Sequence, residues 1–165
     1  ISDNHGEVIE ALFKSEPPMS AAEQKQSFQT LLHDTVSDAC SYEVVKSVHE
    51  KLNEMIEEHK ALKDPDPLVI SKNTVEDVLQ SCGIDESRIN DFGEKFDAAF
   101  GSKAEITPFN IIDTKQFEVK IPDISIKLSP AAAERMETKV IDGQKYILIR
   151  ADGTVEVNGV EISIS

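Results

Sequence analysis

The stretch TKVIDGQKYILIRADGTVEVNGVEISIS, residues 138–165, sets three Asp-Gly or Asn-Gly pairs among alternating apolar residues. Such a pair between two alternating runs is a strong short-range hairpin signal, because the tight turn holds its central residues in the left-handed backbone region. A turn at Asn158-Gly159 sets Val157 opposite Val160, Glu156 opposite Glu161 and Val155 opposite Ile162. One face of that hairpin is then apolar and the other acidic. A three-residue loop, Ala151-Asp152-Gly153, extends the ladder upstream, so that Ile149 meets Val155 and Ile147 meets Val157. In this register Ile147, Ile149, Val155, Val157, Val160, Ile162 and Ile164 share one face. Tyr146, Leu148, Arg150, Thr154, Glu156 and Glu161 share the other.

Asp142-Gly143 leaves its register open; a plain two-residue loop sets Val140 against Lys145. Further upstream, FEVKIPDISIKL (residues 117–128) switches parity at Pro122-Asp123. That reads as a hairpin with Glu118 opposite Lys127, in preference to one bulged strand.

Length and composition bound the rest. A chain of 165 residues suits one domain or two small ones, and a compact chain of this size buries roughly 68–70% of its extended surface. Trp is absent and aromatics are only 5%, so the core is aliphatic with a few Phe, and a stacking platform for single-stranded nucleic acid is poorly supplied. The net charge is -14, from 17 basic and 31 acidic residues, with the acidity concentrated in residues 1–112. Most of this surface repels a phosphate polymer. Cys40 and Cys82 lack the number and spacing of a disulfide framework or zinc site. No apolar run reaches the roughly 18–20 residues of a membrane span and no signal peptide is visible, so the expected location is cytoplasmic, without membrane contact. A chain opening on Ile1 rather than Met is expected to be part of a longer protein.

Along the chain, GEVIEALFKS (residues 6–15) predicts a short helix ended by Pro17-Pro18. Ser20 with Glu23 forms a capping box, and Phe28, Leu31, Leu32 and Val36 give a helical stripe to about Ala39. Ser41 opens a second long helix with a stripe through Val45, Val48, Leu52, Met55 or Ile56, and His59, and the two long helices are expected to pack antiparallel. KDPDP at 63–67 breaks the helix and divides a helical region, 1–64, from an α+β region, 65–165, with one continuous domain as the alternative. Leu68 to Ile70 reads as a short strand. Thr74 with Asp77 starts a helix that Gly83 ends, a further helix runs from about Asp85 to Phe100, and Pro130 to Met136 forms a short helical link. The fold class is therefore α+β: a helical N-terminal half and a mainly antiparallel C-terminal sheet, its apolar face covered by Phe92, Phe96 and Phe100.

Candidate chemistry is sparse. The helices flanking Gly83 outline a helix-turn-helix, but the second is acidic, with Arg88 and Lys95 its cations, a poor match to a major groove. His49 and His59 are nearly three turns apart, too far for joint metal binding, and His5 and His33 lie in no metal-binding pattern. No nucleophile elbow or phosphate loop is present, so no catalytic, metal or cofactor-binding residue is assigned, and no cofactor is expected. Glu156 and Glu161, like charges directly across a strand pair, ask for relief by Arg150 or Tyr146 on the same face, or by a basic partner. Tyr146, Arg150, Glu156 and Glu161 are therefore the candidate partner surface.

The stretches EPPMSAAEQKQSFQTLL, CSYEVVKSVHEKL, KDPDPL, NIIDTKQFEVKIPDISIKL and VIDGQKYILIRADGTVEVNGVEI resemble the C-terminal part of the bacterial domain of unknown function 4317 family, over nearly the whole chain. That resemblance implies a longer parent, mainly in Firmicutes, and brings no established activity. FEVKIPDISIKLSP followed by ILIRADGTVEV is also similar in hydrophobic pattern to the C-terminal region of bacterial nucleoid-associated proteins, although this chain is acidic where a DNA surface is basic. The expected function is a non-catalytic protein-interaction or assembly module, with a protein partner or self-association through the edge strands and no direct nucleic-acid binding. The alternatives are part of an enzyme whose catalytic groups lie in a preceding region, signalled by a histidine cleft with convergent carboxylates, and a nucleoid-associated-like protein.

Overall fold

Ser20 starts the first helix by a reciprocal pair of bonds. Its hydroxyl accepts from the Glu23 backbone N–H at 3.2 Å, and its own N–H donates to the Glu23 carboxylate at 2.8 Å. In the computed structural model, which describes residues 18–165, this box opens α1, Ala21–Val36. The helix expected over residues 6–15 lies outside the described residues. The hydrogen bonds from Ser20 stabilise the charged form of Glu23 and hold its pKa below the ordinary glutamate range. A 3-10 turn, Ser37–Ala39, follows, and Ser41 then caps α2, Tyr42–Leu62. The buried stripe of α2 is Val44, Val48, Leu52 and Ile56, a four-residue repeat, whereas Val45, expected inside, is exposed.

The break at 63–67 leads to Ile70, which exchanges two backbone bonds with Ile106, at 2.8 and 2.9 Å. Between them lie α3, Lys72–Ser81, starting two residues before Thr74, and α4, Glu86–Phe100, closed by Gly101 at φ 104. A short α5, Pro108–Ile111, completes the helical half. The stripe residues of α1 and α2 share one core with Ile70, Val75, Leu79, Phe92, Phe96, Ile106 and Ile111, from both sides of the break. Within it α1 lies closest to α4 and α5, and α2 to α3 and α5; the two long helices meet through this core more than along each other. Arg88 ties α4 to the end of α1, donating at 2.9 Å to the Val36 carbonyl and at 2.9 Å to Asp38.

Phe92, Phe96 and Phe100 do not cover the strands. Their four-residue spacing puts them on one face of α4, and α1 and α3 pack against that helix, so Phe92 and Phe96 are buried in the helical core with Phe100 against it.

Three antiparallel hairpins make up the C-terminal half. They are β1, Phe117–Ile121, with β2, Ile124–Leu128; β3, Met136–Ile141, with β4, Gln144–Ile149; and β5, Val155–Val157, with β6, Val160–Ile162. A 3-10 link, Pro130–Arg135, joins the first two. Pro122-Asp123 is a hairpin turn with Glu118 opposite Lys127; Asp123 alone has positive φ, as in a type II turn with Pro leading. Asp142-Gly143 forms the plain two-residue loop, setting Val140 against Lys145, and the Asn158-Gly159 register is the expected one.

The hairpins do not join into one sheet. Ile147 pairs with Thr138 and Ile149 with Met136, not with β5. At residues 150–152, Arg150 N–H donates to the Arg135 carbonyl at 2.8 Å, while Arg135 and Arg150 approach the Asp152 carboxylate at 3.6 and 3.0 Å, contacts that hold this loop to the base of the second hairpin. Of the residues expected on one covered face, Ile147 and Val155 are half-buried and the others are open, Ile149 at 55% and Val160 at 64% exposure.

Phe92→Ala is expected to lower unfolding stability by about 3–5 kcal/mol, read from the urea midpoint, because no neighbour can refill a ring buried on all sides. For Glu23 the depressed folded pKa means that its contribution is present above about pH 4.3 and is lost as pH falls toward the folded value. Glu23→Gln should flatten the stability profile in that acid window and leave its shape near neutrality unchanged.

Candidate functional site

Phe117, the first residue of β1, is held by two side chains of α2. The rings of Tyr42 and His49 meet it edge-on, with centroids at 5.9 and 5.4 Å. The Tyr42 hydroxyl donates to the Ala133 carbonyl of the 3-10 link, so one side chain fixes the start of the first hairpin and the approach to the second. Burial, with Glu43 and Glu50 nearby, pushes the Tyr42 phenol pKa up and keeps that donor protonated.

Beside this joint lies a cleft of about 460 Å³, lined by Phe28, Leu32, Val48 and Phe117 with the polar groups of Lys25, Gln29, His49, Asp113 and Glu118. Histidine and carboxylates do share a cleft here, but each is engaged. His49 Nε2 lies 2.8 Å from the Asp113 carbonyl, which makes that nitrogen the donor. The Asp113 carboxylate accepts from the Lys115 backbone N–H at 2.9 Å, and Glu118 pairs with Lys120 at 3.1 Å and Lys127 at 3.9 Å. These bonds order the connection from α5 to β1 against α2.

His33 and His59 stand apart from this cleft. His33 meets its neighbour Asp34, and His59 Nε2 lies 2.7 Å from the Asp66 carbonyl, bridging the break after α2. Among the described residues no group of three or more His, Cys, Asp or Glu side chains could hold a metal ion. Cys40 and Cys82 are free thiols, and burial raises the pKa of Cys40.

A second concavity, of about 690 Å³, runs between the first two hairpins. Ile121, Ile124 and Ile126 line it from one side; Thr138, Lys139, Val140, Lys145, Tyr146 and Ile147 line it from the other. Its chemistry is mainly aliphatic; the register sets Lys145 with Val140 and Ile147 on one face of β3–β4 and Lys139 with Tyr146 on the other. Burial in β1–β2 falls away from the joint, from buried Phe117 to exposed Ile121 and Ile124 at the turn, so the wall of this groove is open to solvent.

The four residues expected to form one partner surface are distributed over three places. Tyr146 lines the groove, its hydroxyl donating to the Gln144 side chain at 2.7 Å. Arg150 lies past the end of β4, turned to Asp152. Glu156 and Glu161 face each other on the third hairpin, and among the described residues neither has a basic partner, because Arg150 is taken by Asp152 and Tyr146 belongs to another hairpin. The groove residues missed by that reading carried a signal: Ile121, Ile124 and Ile126 share one apolar face whose cover the local pattern does not name.

A helical core with an appended set of small antiparallel hairpins defines an α+β protein. The chain belongs to the domain of unknown function 4317 family, whose model matches residues 1–160. No curated protein and no solved structure matches it. Among the described residues no helix is long and apolar enough to cross a membrane.

Tyr42→Phe keeps the ring against Phe117 and removes the bond to Ala133, worth about 1 kcal/mol. Hydrogen exchange should quicken about five-fold across residues 130–136 while α4 exchanges as before.

Proposed function

We propose that this chain is a non-catalytic protein-interaction or assembly module of a bacterial cytoplasmic protein, and that its hairpins are the working surface. The observation that carries this reading is three separate two-stranded antiparallel hairpins with large apolar side chains in solvent: Ile121 and Ile124, Val140 and Ile149, Val160 and Ile162. A two-stranded hairpin alone is marginal in water, and a strand with an unpaired edge offers a ready row of N–H and C=O groups to another chain. The helical half closes its own core, whereas the hairpin half leaves apolar area for a neighbour to cover. Residues 113–165 carry 7 basic and 9 acidic residues, so this surface meets a protein without the repulsion that the more acidic helices exert.

The test uses the apolar wall of the groove. With the chain as bait in native lysate, Ile124→Asp combined with Val140→Asp should abolish capture of any specific partner. Both positions are exposed, so circular dichroism and the unfolding midpoint should stay at wild-type values. Equal capture by the double variant would remove the hairpins from the function.

A further inference from the structure

Two Asp-Pro bonds follow one another in the exposed break between α2 and α3, Asp64-Pro65 and Asp66-Pro67. In such a bond the aspartyl carboxyl can close on its own backbone carbonyl carbon, and the proline nitrogen, a tertiary amide without N–H, departs more readily than an ordinary backbone nitrogen. The two bonds share this chemistry but not their surroundings. Lys63, left-handed at φ 51, turns the chain back after α2, and His59 in the last turn of that helix donates from Nε2 to the Asp66 carbonyl at 2.7 Å. Among the described residues no donor meets the Asp64 carbonyl. The carboxylates differ too: that of Asp64 accepts the Asp66 N–H at 2.9 Å, while that of Asp66 has no hydrogen-bond partner among the described residues.

We propose that His59 makes Asp66-Pro67 a self-cleaving bond, cut once per chain between α2 and α3. The Asp66 carboxyl oxygen attacks the Asp66 carbonyl carbon, and the negative charge that develops on the carbonyl oxygen meets the His59 N–H already placed there. The bond from that carbon to the Pro67 nitrogen breaks, the carboxyl proton passes to the nitrogen, and Asp66 is left as a cyclic anhydride. One water opens the anhydride to two carboxyl groups, so no reactant besides water is consumed. The ring keeps its Nε2–H when protonated, so mild acid, which supplies the protonated carboxyl, does not remove the donor. Lys63, Asp64 and Asp66 are the charged groups of the break itself. Apolar stripes from both sides of the break share one core, so the pieces 1–66 and 67–165 stay together in the folded state and the hairpins keep their places.

The neighbouring Asp-Pro bond is an internal control. The full 165-residue chain is held at the lowest pH that preserves its native circular dichroism, about pH 4–5 on ordinary carboxyl titration, and its fragments are weighed by mass spectrometry after denaturation. Cleavage after Asp66 should exceed cleavage after Asp64 about tenfold. In guanidinium chloride the two bonds should cleave alike, because unfolding takes His59 from the carbonyl. His59→Ala should equalise them in the folded chain. Asp66→Glu, whose longer arm disfavours the cyclic anhydride, should stop cleavage after residue 66 and leave that after Asp64 unchanged. Circular dichroism checks that both variants keep their helices. Equal cleavage of the two bonds in the folded chain, cleavage of neither, a preference for Asp64, or a preference for Asp66 that survives His59→Ala or unfolding overturns the proposal.

Discussion

Phe117 is where the helical half and the hairpins of this protein are fastened together. Its ring sits against Tyr42 and His49 of α2, the His49 ring is bonded to the Asp113 carbonyl just before β1, and the Tyr42 hydroxyl reaches the link between the first two hairpins. Burial is deepest at this point of β1 and declines toward the Pro122-Asp123 turn. The position of the groove depends on that anchorage, since both of its walls spring from residues that α2 orders.

The two halves obey different constraints. In the helices, apolar stripes from both sides of the 63–67 break meet in one core, and the buried Thr35 hydroxyl donates to the Leu31 carbonyl at 2.6 Å. The hairpins have no second layer of this kind. Each satisfies half of its backbone groups through its own partner strand and leaves its outer edges unpaired, and the aliphatic side chains toward the turns remain exposed.

Electrostatics set the third hairpin apart from the second. Asp152 draws both Arg135 and Arg150, which removes the arginine nearest in sequence to Glu156 and leaves that glutamate facing Glu161. Lys139 and Lys145 stand on a different hairpin. The third hairpin therefore carries its acidic pair on one face and its aliphatic ladder on the other.

Local signals determined much of the fold. Capping at Ser20 and Ser41, the left-handed glycine after α4, and the turns at Pro122-Asp123 and Asn158-Gly159 are set by side chains and backbone preferences within a few residues, and so were legible from the sequence, whereas the register at Asp142-Gly143 was left open there. What those signals do not contain is which free edge or apolar face meets which. An alternating strand pairs equally well on either edge, and β4 pairs with β3 and not with β5. The four-residue phenylalanine spacing of α4 specifies an apolar face but not its cover, and α1 and α3 supplied it instead of the strands. The Asn158-Gly159 turn placed Glu156 against Glu161, but their separation from Arg150 and Tyr146, and the groove formed by the first two hairpins, rest on contacts between elements far apart in the chain, and these the tertiary structure alone decided.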